Sequence, residues 1–192
     1  QLQLRFDDLR IAEEVVLDGL ATIEGNAMHH IASVRIQDNQ ANQFSVQCHG
    51  EFPLSATTID TDLWQAQCNR SRIQTTYLQP AQTWKLQKPF KLELKNLDQI
   101  TVSPLCYSHL DSTLCAQKNL RASADAATPV QLAASNLNLA WLQPWLPNDA
   151  VVHGTADLDA IIQLLPNLTI QASASSENSH IVLFHNTAQS MT

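Results

Sequence analysis

The sequence predicts an all-β fold: an elongated, curved, antiparallel or mixed sheet with one dry face and at most one short helical turn. Three observations predict it. Apolar and polar residues alternate with period 2 in segment after segment. Charged residues are only 15% of the 192, against 44% apolar, and the polar remainder is rich in Gln, Asn, Ser and Thr, which suits solvated strand faces. Helix signals are weak throughout. Alternation over five or more residues gives a strand one wet and one dry face, and about a dozen such segments separated by turn residues favour antiparallel pairing over βαβ units.

Taken in order, residues 7–20 read as two strands that break at Glu13–Glu14, in preference to a helix with Leu9, Ala12, Val16 and Leu20 on one face. Met28, His30, Ala32, Val34 and Ile36 form the dry phase of the next segment, against His29, Ser33, Arg35 and Gln37. Phe44, Val46, Cys48, Gly50 and Phe52 repeat the pattern against Ser45, Gln47, His49 and Glu51. Asp60–Asp62 reads as a hairpin loop. Phe90, Leu92 and Leu94 begin another run, followed by Ile100 and Val102. Residues 137–148 hold one short helical turn, which Pro144 and Pro147 keep from growing. Val152, Gly154, Ala156, Leu158 and Ala160 alternate with His153, Thr155, Asp157 and Asp159. Much of the dry phase is small (Ala21, Ala32, Ala66, Ala134, Ala156), so a concave, partly open sheet fits at least as well as a filled sandwich.

The net charge of −7 argues against a nucleic-acid partner, which needs clustered Lys and Arg. The small basic run Lys85, Lys88, Lys91 and Lys95 reads as edge-strand lysines that block unwanted pairing. No run approaches the ~18 apolar residues of a spanning helix, and no signal peptide is visible. The chain reads as a single segment, 1–192, of a longer protein. With four glycines there is no nucleophile elbow, P-loop or dinucleotide fingerprint. The histidines lack metal-ligand spacing, and Asp157 and Asp159 read as a solvated strand face. The expectation is a protein that is not an enzyme and has no metal or cofactor.

Four cysteines remain. Cys106 and Cys115 flank a turn between two short strands, and Cys48 and Cys68 sit on strands able to pair across the 53–62 loop. An even count and hairpin placement favour two disulfides and an oxidising compartment; the alternative is four reduced core cysteines. Closing the shorter loop contributes about 2.7 kcal/mol on the chain-entropy model.

Three stretches together resemble the TamB family. In residues 83–115, Trp84, Leu86, Leu92, Cys106, Tyr107 and Cys115 match a Trp-x-Leu…Leu segment leading to a Cys-aromatic pair and a second Cys nine residues on, although the family more often has Trp at the place of Tyr107. In residues 130–159, Leu139, Leu142, Pro144, Pro147 and Gly154 are similar to a Leu- and Pro-rich turn followed by a strand with a central Gly. Gly25, His30, Gly50 and Trp64 carry a third, weaker likeness. Cys48 and Cys68 lie outside the family pattern, so their pairing rests on spacing.

The resemblance implies a U-shaped hydrophobic β-groove in the periplasm, part of a protein anchored in the inner membrane of a Gram-negative bacterium. It implies one of two roles: carrying phospholipid toward the outer membrane, or assisting assembly of autotransporters and other outer-membrane β proteins with a TamA-like barrel. A carbohydrate-binding sandwich is disfavoured, because no aromatic platform pairs with a polar cluster. On alternation alone, the groove is expected to be lined by Met28, Ala32, Val34, Phe44, Val46, Leu92, Leu94, Val152, Ala156 and Leu158.

Overall fold

The computed structural model describes residues 1–11, 15–55, 58–77, 80–96, 98–123, 126–147, 150–163 and 169–183. Strands β1 (Leu2–Ile11) and β2 (Val15–Gly25) form a first hairpin, and β3 (His30–Asp38) and β4 (Gln43–Glu51) a second. The two-residue strands β5 (Leu54–Ser55) and β6 (Thr58–Ile59) lie in the connection to the long β7 (Leu63–Thr75). Next come β8 (Gln82–Leu86), β9 (Phe90–Lys95), β10 (Gln99–Val102), β11 (Leu105–His109), β12 (Ser112–Ala116), β13 (Leu120–Ala122) and β14 (Val130–Asn138). A 3-10 helix, Leu139–Trp145, precedes β15 (Ala150–His153), β16 (Thr155–Gln163), β17 (Thr169–Ser175) and β18 (His180–Leu183). The expected strands at either side of Glu13–Glu14 are present, and that break itself lies outside the described residues.

One antiparallel sheet holds nearly all of these strands. Its main path runs β1-β2-β3-β4-β7-β8-β11-β12-β14-β16-β17, and β9, β10 and β13 branch from β7. Eleven strands spaced by roughly 4.8 Å extend it about 48 Å across the strands. The path does not close on itself, and β1 and β17 each have a free edge among the described residues.

The branch comes from strands broken in register with one another. β7 pairs with β9 through Leu63–Cys68 and with β8 through Arg72–Thr75, so β8 and β9 are two halves of one line interrupted at 87–89. β10 and β11 are likewise interrupted at Ser103–Pro104, and β12 and β13 at 117–119. In β7 itself the ladder jumps from Gln47–Arg70 to Cys48–Cys68, leaving Asn69 as an extra residue. Pro89 and Pro104, which have no N–H to give a ladder, fall in two of the breaks. The remaining N–H groups are used locally: Gln87 donates to the Cys106 carbonyl at 2.8 Å and Ser103 to Lys91 at 2.9 Å. The sheet therefore turns a corner along a line that crosses four strands.

This corner corrects one expectation. Lys85 lies on β8, and Lys91 and Lys95 on β9, strands that are paired on both sides. These lysines solvate the polar face of interior strands instead of guarding an edge.

Register separates the two faces. Across the ladder Leu4, Ala21, Val34, Val46, Ser71 and Leu86 share one face, as do Tyr107, Leu114, Ala134, Leu158 and Ala174. On the other face lie Arg35, Ser45, Arg72, Lys85 and Ser108, with Thr113, Ser135, Asp157 and Ser175. Among the described residues no second sheet covers the apolar face over its length. The accessible surface is 13470 Å², about half as much again as the roughly 9,100 Å² of a compact protein of this mass.

The apolar face and its candidate functional site

Eight of the ten expected groove residues stand on the apolar face. Ala32 pairs with Cys48, Val34 with Val46, and Phe44 with Ile36 across β3 and β4. Leu92 and Leu94 of β9 face Ala66 and Trp64, and Ala156 and Leu158 of β16 face Leu137 and Ala134.

The other two are corrections. Met28 is in the turn before β3, because the Asn26 side-chain oxygen accepts from the N–H groups of Met28 and His29 at 3.0 and 2.9 Å. Alternation cannot register such an Asx turn. It also takes His29 off the strand. Val152 is buried, but on β15, which pairs with β18 in a separate two-stranded ribbon.

Two packed regions interrupt the otherwise shallow face. In the first, Cys48, Ala66, Cys68 and Phe90 are buried together, with Trp64, Leu92 and Val102 against them. Cys48 and Cys68 are directly opposite on β4 and β7 and form a disulfide. Nearby, the Trp64 indole N–H donates to His30 Nε2 at 2.6 Å, and His30 Nδ1 lies 3.0 Å from the Asn26 carbonyl. Since an indole only donates, Nε2 is the acceptor and Nδ1 carries the proton. His30 and Trp64 reach each other over β4 because Gly50 stands between them. A Cβ there would lie 2.7 Å from His30 Nε2 and 2.8 Å from the Trp64 indole. Gly50→Ala is expected to cost about 1–3 kcal/mol through overpacking, read as a lower urea midpoint, with loss of the His30 Nδ1–H signal from its bonded position.

The second region is aromatic. Trp84, Tyr107 and Trp141 are buried, with Ile73, Leu86, Leu114 and Leu137 packed on them. Trp84 meets Trp141 edge-on at 5.8 Å, and His109 lies 5.7 Å from each ring, near the separations aromatic pairs prefer. Ser71 donates to the Ser45 carbonyl at 3.0 Å. Its single proton is thus in use, and the Tyr107 hydroxyl donates to Ser71 Oγ at 2.7 Å. Burial pushes the Tyr107 hydroxyl upward in pKa against the lowering effect of the Ser71 bond, keeping it a donor.

Trp141 comes from the expected helical turn. Asn138 caps it by accepting from the Ala140 N–H at 2.9 Å, and Pro144 lies within it. The second disulfide, Cys106–Cys115, joins opposite residues of β11 and β12 on the polar face. Both pairs are thus cross-strand staples, one dry and one wet. They pin the register in the center of the sheet.

One polar side chain is out of keeping with its surroundings. Gln82, first residue of β8, is fully buried, and neither its Oε1 nor its Nε2 has a hydrogen-bond partner among the described residues. An unmet buried amide costs about 1–3 kcal/mol. A concavity of about 670 Å³ instead opens on the polar side among Glu24, His49, Gln65, Gln67, Lys91 and Glu93. Among the described residues no group of three or more His, Cys, Asp or Glu is placed to hold a metal ion.

The fold and face define a class: an open, cornered antiparallel sheet whose long apolar face, among the described residues, is met by neither a second sheet nor a closed barrel. The family model for the TamB N-terminal domain ("TamB, N-terminal domain") matches residues 1–192, and the chain belongs to the TamB family. Comparison with curated proteins and with solved structures gave no match.

Proposed function

We propose that this chain is a periplasmic segment of a TamB-like protein that bridges the inner and outer membranes, and that its apolar face carries phospholipid acyl chains for outer-membrane biogenesis. The observation that supports the reading is the continuity of one dry face over the eleven-strand path, left partly uncovered at Leu4 and Ile170, which are 63% and 62% exposed. Each methylene that leaves water for such a surface is worth about 0.8 kcal/mol, so acyl chains need no dedicated headgroup site to be held. No helix among the described residues is long and apolar enough to cross a membrane.

The test places a charge on the dry face. Val46→Asp or Leu94→Arg buries an unpaired charge among acyl chains, which is costly, and is expected to compromise outer-membrane integrity in cells while the protein remains folded. Gln47→Glu, on the polar face, is expected to be nearly silent. Normal lipid delivery by folded Val46→Asp and Leu94→Arg proteins would sink the reading.

A second reading is favoured by a different observation, the edges of β1 and β17 that no strand among the described residues covers. Unpaired strand edges can accept a client strand by augmentation, as an assembly module for outer-membrane β proteins working with a TamA-like barrel would require. It expects proline substitutions in β1 or β17 to be damaging and dry-face charges to be mild. Mass spectrometry of lipid co-purified with the protein separates the two.

A further inference from the structure

We propose that the 3-10 helix Leu139–Trp145 is a displaceable plug: Trp141 occupies, over the β8–β11 part of the apolar face, the place an acyl chain takes when the helix moves aside. The inference rests on the lipid-carrying reading above and adds a gate to it. Trp141 is the one buried side chain of the helix. Trp141 is 7% exposed against Trp84 and His109, whereas Leu142 and Trp145 on the same turn are 42% and 61% exposed.

Among the described residues the polar ties of the helix are to its own stem and to the chain that follows it, and that chain continues into β15, which pairs with β18. Leu146 N–H donates to Gln143, Ala150 N–H to Pro147, and the Gln143 side chain to the Ala150 carbonyl. The segment leaves β14 and returns at β16 through a neck closed by Leu139 N–H to the Gly154 carbonyl at 3.0 Å. Left-handed backbone flanks that neck at Asn136 (φ 54°) and Gly154 (φ 109°), and such positions mark where a chain changes direction.

A second, independent observation points the same way. Gln82 precedes Trp84 by two residues on the same face of β8, and its fully buried amide is unpartnered on both atoms. Unmet polar groups need an explanation in a folded protein. Here the closed state leaves an amide without a partner, and opening admits water or a lipid ester to it. The plug is held shut by aromatic contact and weakened by Gln82, which is the balance a gate requires.

The experiment places a benzophenone photocrosslinker at Leu86, beneath the cluster, or at Leu94, outside it, and supplies palmitoyl-oleoyl phosphatidylglycerol from vesicles. Leu94 is expected to capture lipid in every variant. Leu86 is expected to capture at least about fivefold more in Trp141→Ala than in the parent, and less than the parent in Gln82→Met, whose closed state has no unmet amide. Trp145→Ala should match the parent.

In the unsubstituted protein labelled with 5-fluorotryptophan at its four tryptophans, lipid should shift the Trp141 and Trp84 resonances and leave Trp145 in place. Capture at Leu94 with equal yields at Leu86 in all variants, or with an unmoved Trp141 signal, overturns the plug and leaves the conduit standing. Absence of capture at both positions in every variant defeats the conduit reading and the plug with it.

Discussion

Trp84→Ala lowers the urea midpoint by the equivalent of about 3–5 kcal/mol, the range for truncating a large buried aromatic. Trp84 is 6% exposed and shares its contacts with Tyr107, Trp141 and His109. Removing the indole opens a cavity under two elements at once, the sheet and the 3-10 helix. Relaxation is limited on both sides. Cys106–Cys115 fixes the neighbouring hairpin, and Tyr107 is tethered to Ser71. Trp145→Ala is the internal comparison. Its side chain is exposed, and surface truncations usually stay within about 0.5 kcal/mol. Equal effects of the two substitutions would show that the aromatic cluster is not the core assigned to it.

The second large effect belongs to the buried staple. Cys48 and Cys68 are 20 residues apart in sequence. On the chain-entropy model their bond contributes about 3.3 kcal/mol, against about 2.7 kcal/mol for the shorter loop closed by Cys106 and Cys115, nine residues apart. The Cys48→Ala/Cys68→Ala double variant is therefore expected to lose the larger amount in denaturant unfolding. Access to reductant runs in the opposite order. Cys48 and Cys68 are 3% and 0% exposed, while Cys106 and Cys115 are half-buried on the polar face. Mild dithiothreitol under native conditions should release thiols at Cys106 and Cys115 first, detected by mass spectrometry after alkylation. Simultaneous release of all four would mean that the dry face is open to solvent where it is assigned as packed.

Alternation made the strands legible because a strand exposed on one side writes its two environments into odd and even positions. Phe44 to Gly50 and Ala156 to Ala160 show the pattern plainly. The short helix was legible for another reason: Pro144 and Pro147 limit what residues 137–148 can form. Alternation carries no information about which strand pairs with which. The corner depends on 87–89, Ser103–Pro104 and 117–119 lying side by side, and only the register brings them together. The His30–Trp64 bond was hidden for the same cause. Gly50 reads as one more residue of a dry phase until the ladder places it between two rings. Met28 and Val152 failed locally: an Asx turn removed one from its strand, and a change of pairing partner moved the other to a separate ribbon. Trp141 gave no advance sign of docking on Trp84, since a single aromatic in a Pro-rich turn does not specify what it covers.

Apart from the corner, each strand of the main path lies beside its near neighbours in sequence. A meander of this kind behaves as a one-dimensional chain of units, each coupled chiefly to the one before and the one after. Low contact order favours rapid folding that can start at any well-packed hairpin and spread outward. It also makes unfolding graded: amide exchange should be slowest in β4, β7, β8 and β11, where the staples and aromatics sit, and progressively faster toward β1 and β17. Damage at one edge then frays that edge and leaves the center standing, so such a sheet tolerates insertion or loss of a peripheral hairpin far better than a closed barrel would.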